Sequence, residues 1–112
     1  NAPPDGRGTG VILHTVLCAL RADHDPAELG QIMQGLSDLD IEGFLWFAHG
    51  VNIDAEAKTP DYGYGFVCSF ADRAALDRYA ADPGHRALGG RLVALCRDGA
   101  KGILVSDIQT PQ

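Results

Sequence analysis

The amino-acid sequence predicts an α+β domain, built on a four-stranded antiparallel sheet with helices on one face. Two observations lead to this prediction: four short runs of strand-forming residues, and aspartate-initiated helices that alternate with them along the chain. A length of 112 residues suits one domain. Hydrophobic residues make up 46% of the chain and charged residues 21%, which is the balance of a globular protein rather than a disordered one.

The first strand is predicted over 11–20, after a proline- and glycine-rich start, 1–10, that we expect to be a flexible arm. Both alternating sets of side chains in this strand are mostly apolar, so both faces need cover. The first helix is expected to begin at Asp25-Pro26, where Asp25 caps the free N–H groups and Glu28 completes a capping box. Apolar residues then recur at helical spacing: Leu29, Ile32, Met33, Leu36 and Leu39.

Two further strands are predicted over 43–52 and 62–70, joined by a polar loop, 53–61, that is longer than a tight hairpin requires. The third strand carries Gly63 and Gly65 at alternate positions. Because glycine weakens a strand, this pair indicates close approach by a ligand or by another stretch of backbone.

Two helical segments and one strand are predicted to complete the chain. Asp72 begins one helix and Pro83 ends it, while Asp82-Pro83 also begins a segment that reaches about Arg97. The last strand is predicted over 102–108. The order β-α-β-β-α-(α)-β is that of a ferredoxin-like fold. Helices cover only one side of such a sheet, so its other side, which is also apolar, needs a second cover. We therefore predict a twofold homodimer in which the sheets of two copies pack together and form an α+β barrel.

Charge and cysteine content narrow the classes of function. Fifteen acidic against nine basic residues give a net charge of −6, and an acidic surface repels phosphates, so no nucleic-acid partner is expected. Cys18, Cys68 and Cys96 lack the spacing of a zinc site or a disulfide framework, and we expect them to be buried. The longest apolar run, 44–48, is too short to cross a membrane, and no signal-peptide pattern is present, so we expect a cytoplasmic protein.

Tyr79 and His85 are the candidate catalytic residues. They are six residues apart on either side of Pro83, so they can converge as a general base and its orienting partner that remove a proton next to a carbonyl. The start of the second helical segment should keep His85 neutral. The alternative is a structural role, in which Tyr79 belongs to the apolar stripe and His85 covers the preceding helix end.

Four residues are candidates for a ligand-binding lining. His14 and Tyr64 lie on the first and third strands, where each either lines a pocket or bonds within the core. Cys18 and Phe66 share their strand faces and complete the expected lining. Histidine, cysteine and carboxylate spacing suggests no metal site, and the chain has no nucleophile motif or phosphate loop, so neither a metal nor a cofactor is expected.

The segments ILHTVL, YGYGFVCSF and ALDRYAADPGH, together with the aspartate-proline start of the first helix, resemble the stress-responsive dimeric α/β-barrel (Dabb) family. The resemblance covers 11–108 and leaves 109–112 as a short tail. It implies a single ferredoxin-like domain whose sheet closes into a barrel with that of a second copy. Most members of this family have no established activity.

One enzyme of this family, a plant polyketide cyclase, closes a linear polyketide by aldol condensation. The resemblance implies that its catalytic tyrosine and histidine correspond to Tyr79 and His85, and its first-strand histidine to His14. The sequence departs from that enzyme at two positions, since its third-strand histidine is Tyr64 here and the usual histidine before the proline is Asp82.

Two hypotheses of different classes follow. In the first, a pocket between sheet and helices binds a small, largely apolar carbonyl compound and performs lyase- or cyclase-like acid–base chemistry without a cofactor. In the second, the chain is a noncatalytic stress-associated homodimer whose polar core groups bond only each other. A solvent-open cavity beside His14, Tyr79 and His85 would favour the first hypothesis, and solid packing the second.

Overall fold

A computed structural model describes residues 10–111, so the predicted arm 1–10 lies outside the described residues except for Gly10. A short 3₁₀ turn, Gly99–Gly102, precedes the last strand. The helices and strands are β1 (Ile12–Cys18), α1 (Pro26–Ser37), β2 (Phe44–Val51), β3 (Tyr64–Phe70), α2 (Arg73–Ala81), α3 (Pro83–Leu95) and β4 (Ile103–Gln109). This order confirms the predicted ferredoxin-like fold.

The sheet is antiparallel throughout, with the strand order β2-β3-β1-β4. The core lies between the helices and one side of the sheet, the helix face, to which β1 contributes Ile12, Val16 and Cys18. The other side, the open face, carries the alternate side chains of the same strands, and those of β1 are half-buried. Because period-two alternation assigns each strand residue to one side, the pairing register decides which side chains share a face.

Aspartates begin all three α-helices, as predicted. Asp25 accepts a hydrogen bond from the Ala27 amide at 2.9 Å, and Asp72 and Asp82 cap α2 and α3 in the same way. The predicted capping box of α1 is wrong, because both Glu28 carboxylate oxygens accept hydrogen bonds from Arg91 on α3. This pairing ties α1 to α3 across the surface of the helix layer.

The predicted apolar stripe of α1 is confirmed over most of its length. Leu29, Ile32, Met33 and Leu36 are buried against the sheet, while Leu39 lies beyond the helix end and is half-buried. Removing these side chains from water supplies the main driving force for packing α1 on the sheet.

The two glycines of the third predicted strand have different surroundings. Gly63 precedes β3, and a Cβ there would have nothing within 4 Å. At Gly65, a Cβ would lie 2.7 Å from the Val16 carbonyl oxygen and 2.9 Å from the Leu17 side chain. The close approach predicted at this position is therefore made by the chain's own strand β1.

The predicted burial of the cysteines is confirmed, and we expect slow labelling of native Cys18 and Cys68. Both are fully buried, and burial raises the pKa of each thiol to about 12, which leaves almost no reactive thiolate at neutral pH. A maleimide should modify them at least about 100-fold more slowly in the folded protein than in urea. Mass spectrometry after timed quenching measures both rates, and equal rates would contradict this placement.

Among residues 10–111, no helix combines the length and the apolarity that crossing a membrane requires.

Candidate functional site

Three predicted site residues meet on the helix face. His14 projects from the middle of β1, Tyr79 from α2, and His85 from the first turn of α3. The centroids of the Tyr79 and His85 rings are 3.9 Å apart, and those of His14 and Tyr79 are 5.5 Å apart. The Asp82 cap, which receives the His85 amide at 2.9 Å, sets the position of His85 relative to α2.

Tyr79 forms the centre of this cluster and is only 1% exposed. Its hydroxyl lies 4.0 Å from the Cys68 sulfur, which is a weak hydrogen-bonding partner. Burial, reinforced by Cys68, raises the Tyr79 pKa far above its usual value. The Tyr79 hydroxyl therefore stays protonated at neutral pH, where it can donate a hydrogen bond but cannot act as a base.

His85 is held neutral. Burial and the nearby His14 lower its pKa, and the Asp82 carboxylate together with the backbone carbonyl groups of Ala80 and Tyr79 only partly opposes this shift. The Nδ1 atom of His85 is buried and has no hydrogen bond of good geometry among residues 10–111, although the backbone carbonyl groups of Ala80 and Tyr79 lie close enough to act on the ring.

His14 is paired with Asp107 of β4, a residue that the sequence analysis missed. Its Nδ1 lies 2.6 Å from Asp107 Oδ1, and the side chains are 12% and 40% exposed respectively. A carboxylate on one ring nitrogen fixes the tautomer and orientation of a histidine and directs proton exchange to the other nitrogen. The sequence did hold a signal for this pair. Asp107 is a charged residue within the last strand, and a ferredoxin-like strand order places that strand beside β1, which carries His14.

The remaining predicted residues do not all reach this cluster. Phe66 does, with its ring centroid 6.4 Å from that of His14. The Tyr64 hydroxyl instead lies 2.5 Å from His49 Nδ1. Tyr64 is four residues before Cys68 in β3, which separates the two residues by about 13 Å along the strand. Cys18 is paired with Tyr64 across the strands at that same end of the sheet.

The accessible depressions lie away from the cluster. The most spacious of four found along residues 10–111 has a volume of about 400 Å³ and extends from Leu20 and Arg21 to Tyr64. None of the four is lined by His14, Tyr79 or His85, so these depressions do not supply the cavity that the ligand-binding hypothesis requires, and the packing of Tyr79 favours the structural hypothesis on this point. Solvent reaches the cluster through the partly exposed side chains of His14 and Asp107 at the β4 edge.

Taken together, these groups can transfer protons. An oriented imidazole, a protonated phenol and a neutral imidazole lie side by side, which are the components of general acid–base chemistry. Among residues 10–111, no three side chains of the types that ligate metals come together.

We expect the free energy of unfolding to fall as the pH drops below about 6.5, the ordinary histidine value, because His85 has a lowered pKa in the folded state. The unfolded chain then binds a proton that the folded one resists, so this contribution is present above pH 6.5 and lost below it. Urea unfolding can be monitored at several pH values through the fluorescence of Trp46. The free energy of unfolding should depend less on pH in His85→Gln than in the wild type.

His24→Gln, which removes a histidine outside the cluster, is the matched control for this series. It should retain the wild-type dependence on pH. Identical pH profiles for the wild type and His85→Gln would contradict the burial of His85.

Comparison with known proteins gives a family profile and several solved structures. The profile of the stress-responsive A/B barrel domain (Dabb) matches residues 12–109. A dimeric ferredoxin-like protein of unknown function from Jannaschia sp. CCS1 is 41% identical, and the match covers 89% of this chain and 99% of that one with a TM-score of 0.75. A Dabb family protein with a ferredoxin-like fold from Mesorhizobium loti is 30% identical over 93% and 99% of the chains, with a TM-score of 0.71.

More distant structures share the fold alone. A hydroxynitrile lyase from Passiflora edulis is 13% identical, covers 98% of this chain and 97% of its own, and superposes with a TM-score of 0.75. No curated protein matches the chain.

Proposed function

The chain belongs to the stress-responsive A/B barrel domain (Dabb) family, and we propose that it is a homodimer that binds a small, largely apolar carbonyl compound and transfers a proton on it. The observation that carries this proposal is the His14–Asp107 pair, 2.6 Å apart, in contact with Tyr79. An oriented imidazole beside a protonated phenol is a suitable arrangement for removing a proton next to a carbonyl while its oxygen receives a hydrogen bond.

Each group has one role in this proposal. His14 is the base, and Asp107 is a positioning residue that holds the His14 ring through Nδ1. Tyr79 donates to the carbonyl oxygen, because burial keeps its hydroxyl protonated. His85 holds the Tyr79 ring in place, with the two ring centroids 3.9 Å apart. These roles revise the prediction from sequence, which had made Tyr79 and His85 a base and its orienting partner.

The surroundings favour an apolar ligand that enters at the β4 edge. Aromatic rings flank His14 on the helix face, with Phe66 and Phe70 centroids 6.4 and 6.2 Å away. Residues of β4 are largely exposed, including Val105 at 50%, so this side of the cluster is the least covered. Apolar walls with a few convergent polar groups are typical of small-molecule sites.

Assembly as a homodimer is supported by the open face and by the relatives. Leu104 and Ile108 on this face are 49% and 56% exposed, which is unusual for large apolar side chains that lie in one sheet face. The Jannaschia sp. CCS1 relative is described as a dimeric protein. A second copy would cover this face by sheet-to-sheet packing.

We expect the wild-type protein to accelerate exchange of the methyl protons of small aryl and alkyl methyl ketones for deuterium. In D₂O, loss of the methyl signal in ¹H NMR reports each removal of a proton next to the carbonyl. His14→Gln should slow this exchange by roughly 100-fold or more, since general-base catalysis typically contributes that factor. Asp107→Asn should cause a smaller loss, because it leaves the base in place with poorer orientation.

His24→Gln is the matched control and should exchange at the wild-type rate. Thermal melts of all three variants separate loss of chemistry from loss of folding. Exchange by the wild type no faster than in buffer, or an unchanged rate for His14→Gln, would overturn the proposed chemistry.

A second candidate function is a noncatalytic homodimer with a structural polar core. The observation that favours it is the tight packing of Tyr79, which is 1% exposed and has its ring 4.9 Å from Phe70 and 3.9 Å from His85. In that case the same histidines stabilise the helix layer and no ketone is a substrate.

A further inference from the structure

The open face of the sheet has an uneven distribution of side-chain size. Strand register places Gly50, Gly65, Leu17 and Leu104 in a single row that crosses β2, β3, β1 and β4 in that order. One half of this row therefore has no side chains, while the other half carries two leucines. A depression of about 240 Å³ lies over the glycine half and is also lined by Ala48.

The hollow is open at the β2 edge of the sheet, and a large side chain is exposed at the β4 edge. A Cβ at Gly50 would have nothing within 4 Å, whereas the space over Gly65 is already approached by Leu17 of the same chain. At the other edge, the Leu104 side chain is 49% exposed. The hollow at Gly50 and the exposed Leu104 side chain therefore lie in the same row, on opposite edges of the open face.

Two copies can bring their open faces together around a twofold axis in two ways. If the axis runs along the strands, β2 of one copy lies over β4 of the other. Each row of one copy then lies over the same row of the other, at the same position along the strands. If the axis runs across the strands, every strand lies over its own counterpart, and the two ends of the face are exchanged.

We infer that the axis runs along the strands, so that Leu104 of the partner subunit fills the hollow over Gly50, and the reverse contact forms by symmetry. This inference rests on the proposed homodimer and adds its register. The same rotation sets Leu17 against Gly65 of the partner subunit. Each glycine then faces a leucine, which keeps the two sheets at the roughly uniform separation of about 10 Å that packed sheets maintain.

The second arrangement would pack the face poorly. The outermost row at the other end consists of Trp46, Ser69, Leu13 and Ile108. Exchanging the ends would place Leu104 against Ile108 of the partner subunit and Leu17 against Leu13 of the partner subunit, while Gly65 would face Ser69 of the partner subunit. The hollow at Gly50 would still be filled, by Trp46 of the partner subunit. Large side chains would nevertheless meet along β4 and β1 while small ones met along β3, leaving a gap in the middle of the interface. In the first arrangement the one pair of large side chains is Trp46 and Ile108 of the partner subunit, at the sheet edge.

A size-exchange experiment tests this register. A Cβ at Gly50 would have nothing within 4 Å, so Gly50→Leu should fold yet raise the dimer dissociation constant at least about tenfold through overpacking. Adding Leu104→Ala should bring the constant back to within about threefold of the wild type, because the two positions compensate only if they are in contact. Analytical ultracentrifugation over a concentration series measures all constants.

The matched control combines Gly50→Leu with Ile108→Ala, which shortens an exposed side chain on the same strand but in another row. It should not restore the affinity. If Gly50→Leu does not fold by circular dichroism, Gly50→Val takes its place with the same two partners.

The outcomes separate the register from the dimer itself. A dimeric wild type in which Leu104→Ala fails to rescue, or in which Ile108→Ala rescues equally well, overturns the register and leaves the homodimer standing. If the wild type is still monomeric at 100 times the protein concentration used in the exchange assay, the homodimer and its register are both contradicted.

Discussion

Leu17→Asp is expected to convert the protein from a dimer into monomers or aggregates. Leu17 lies on the open face in the interior strand β1, between Gly65 of β3 and Leu104 of β4. A second sheet packed on this face would bury the new carboxylate without a partner, which costs several kcal/mol. Light scattering coupled to size exclusion at micromolar concentration measures the mass.

Ala74→Asp is the matched control, since it adds the same charge at an exposed position of α2. It should remain dimeric. A Leu17→Asp variant that remains a stable dimer would show that the open face is not the interface, and a monomeric wild type would contradict the homodimer altogether.

Tyr79→Ala is expected to lower the free energy of unfolding by roughly 3–5 kcal/mol, the usual cost of deleting a buried aromatic side chain. The Tyr79 ring is 1% exposed and packs on Phe70, His14 and His85. A loss of this size is a large part of the 5–15 kcal/mol that stabilises typical domains. Urea unfolding at a fixed protomer concentration, followed by Trp46 fluorescence, gives the difference.

Tyr79→Phe distinguishes the two candidate functions. Among residues 10–111 the hydroxyl has the Cys68 sulfur, 4.0 Å away, as its hydrogen-bonding neighbour, so removing the hydroxyl should change stability by less than about 1 kcal/mol. If the hydroxyl donates to a ligand carbonyl, the same variant should lose most of the ketone exchange while it stays folded. Full exchange activity in Tyr79→Phe would remove Tyr79 from the proposed chemistry, and a stability loss above about 2 kcal/mol would favour the structural role.

The elements of the fold could be predicted because their signals are local. Asp25, Asp72 and Asp82 each cap a helix through an amide two or three residues ahead, a contact that sequence spacing alone specifies. Period-two and helical patterns likewise depend on near neighbours, and they assigned the four strands and the buried stripe of α1. Strand ends shifted by one or two residues, because tertiary pairing decides where a ladder stops.

Part of the candidate cluster could also be predicted from sequence. His14, Tyr79 and His85 were singled out, and the resemblance to the family connected Tyr79 with His85 across Pro83. The alternating pattern of β1 put His14 on one face of the sheet, but it could not say which face the helices cover or how close α2 would come to that ring.

Only the tertiary structure decided which distant residues share a hydrogen bond. His14 pairs with Asp107, 93 residues away. Glu28 accepts a hydrogen bond from Arg91, 63 residues away, instead of forming the capping box expected at the start of α1. Tyr64 bonds to His49 instead of joining Tyr79. The physical reason is that strand order and register set these neighbours, and both depend on burial summed over the whole sheet rather than on the residues next to each position in the chain.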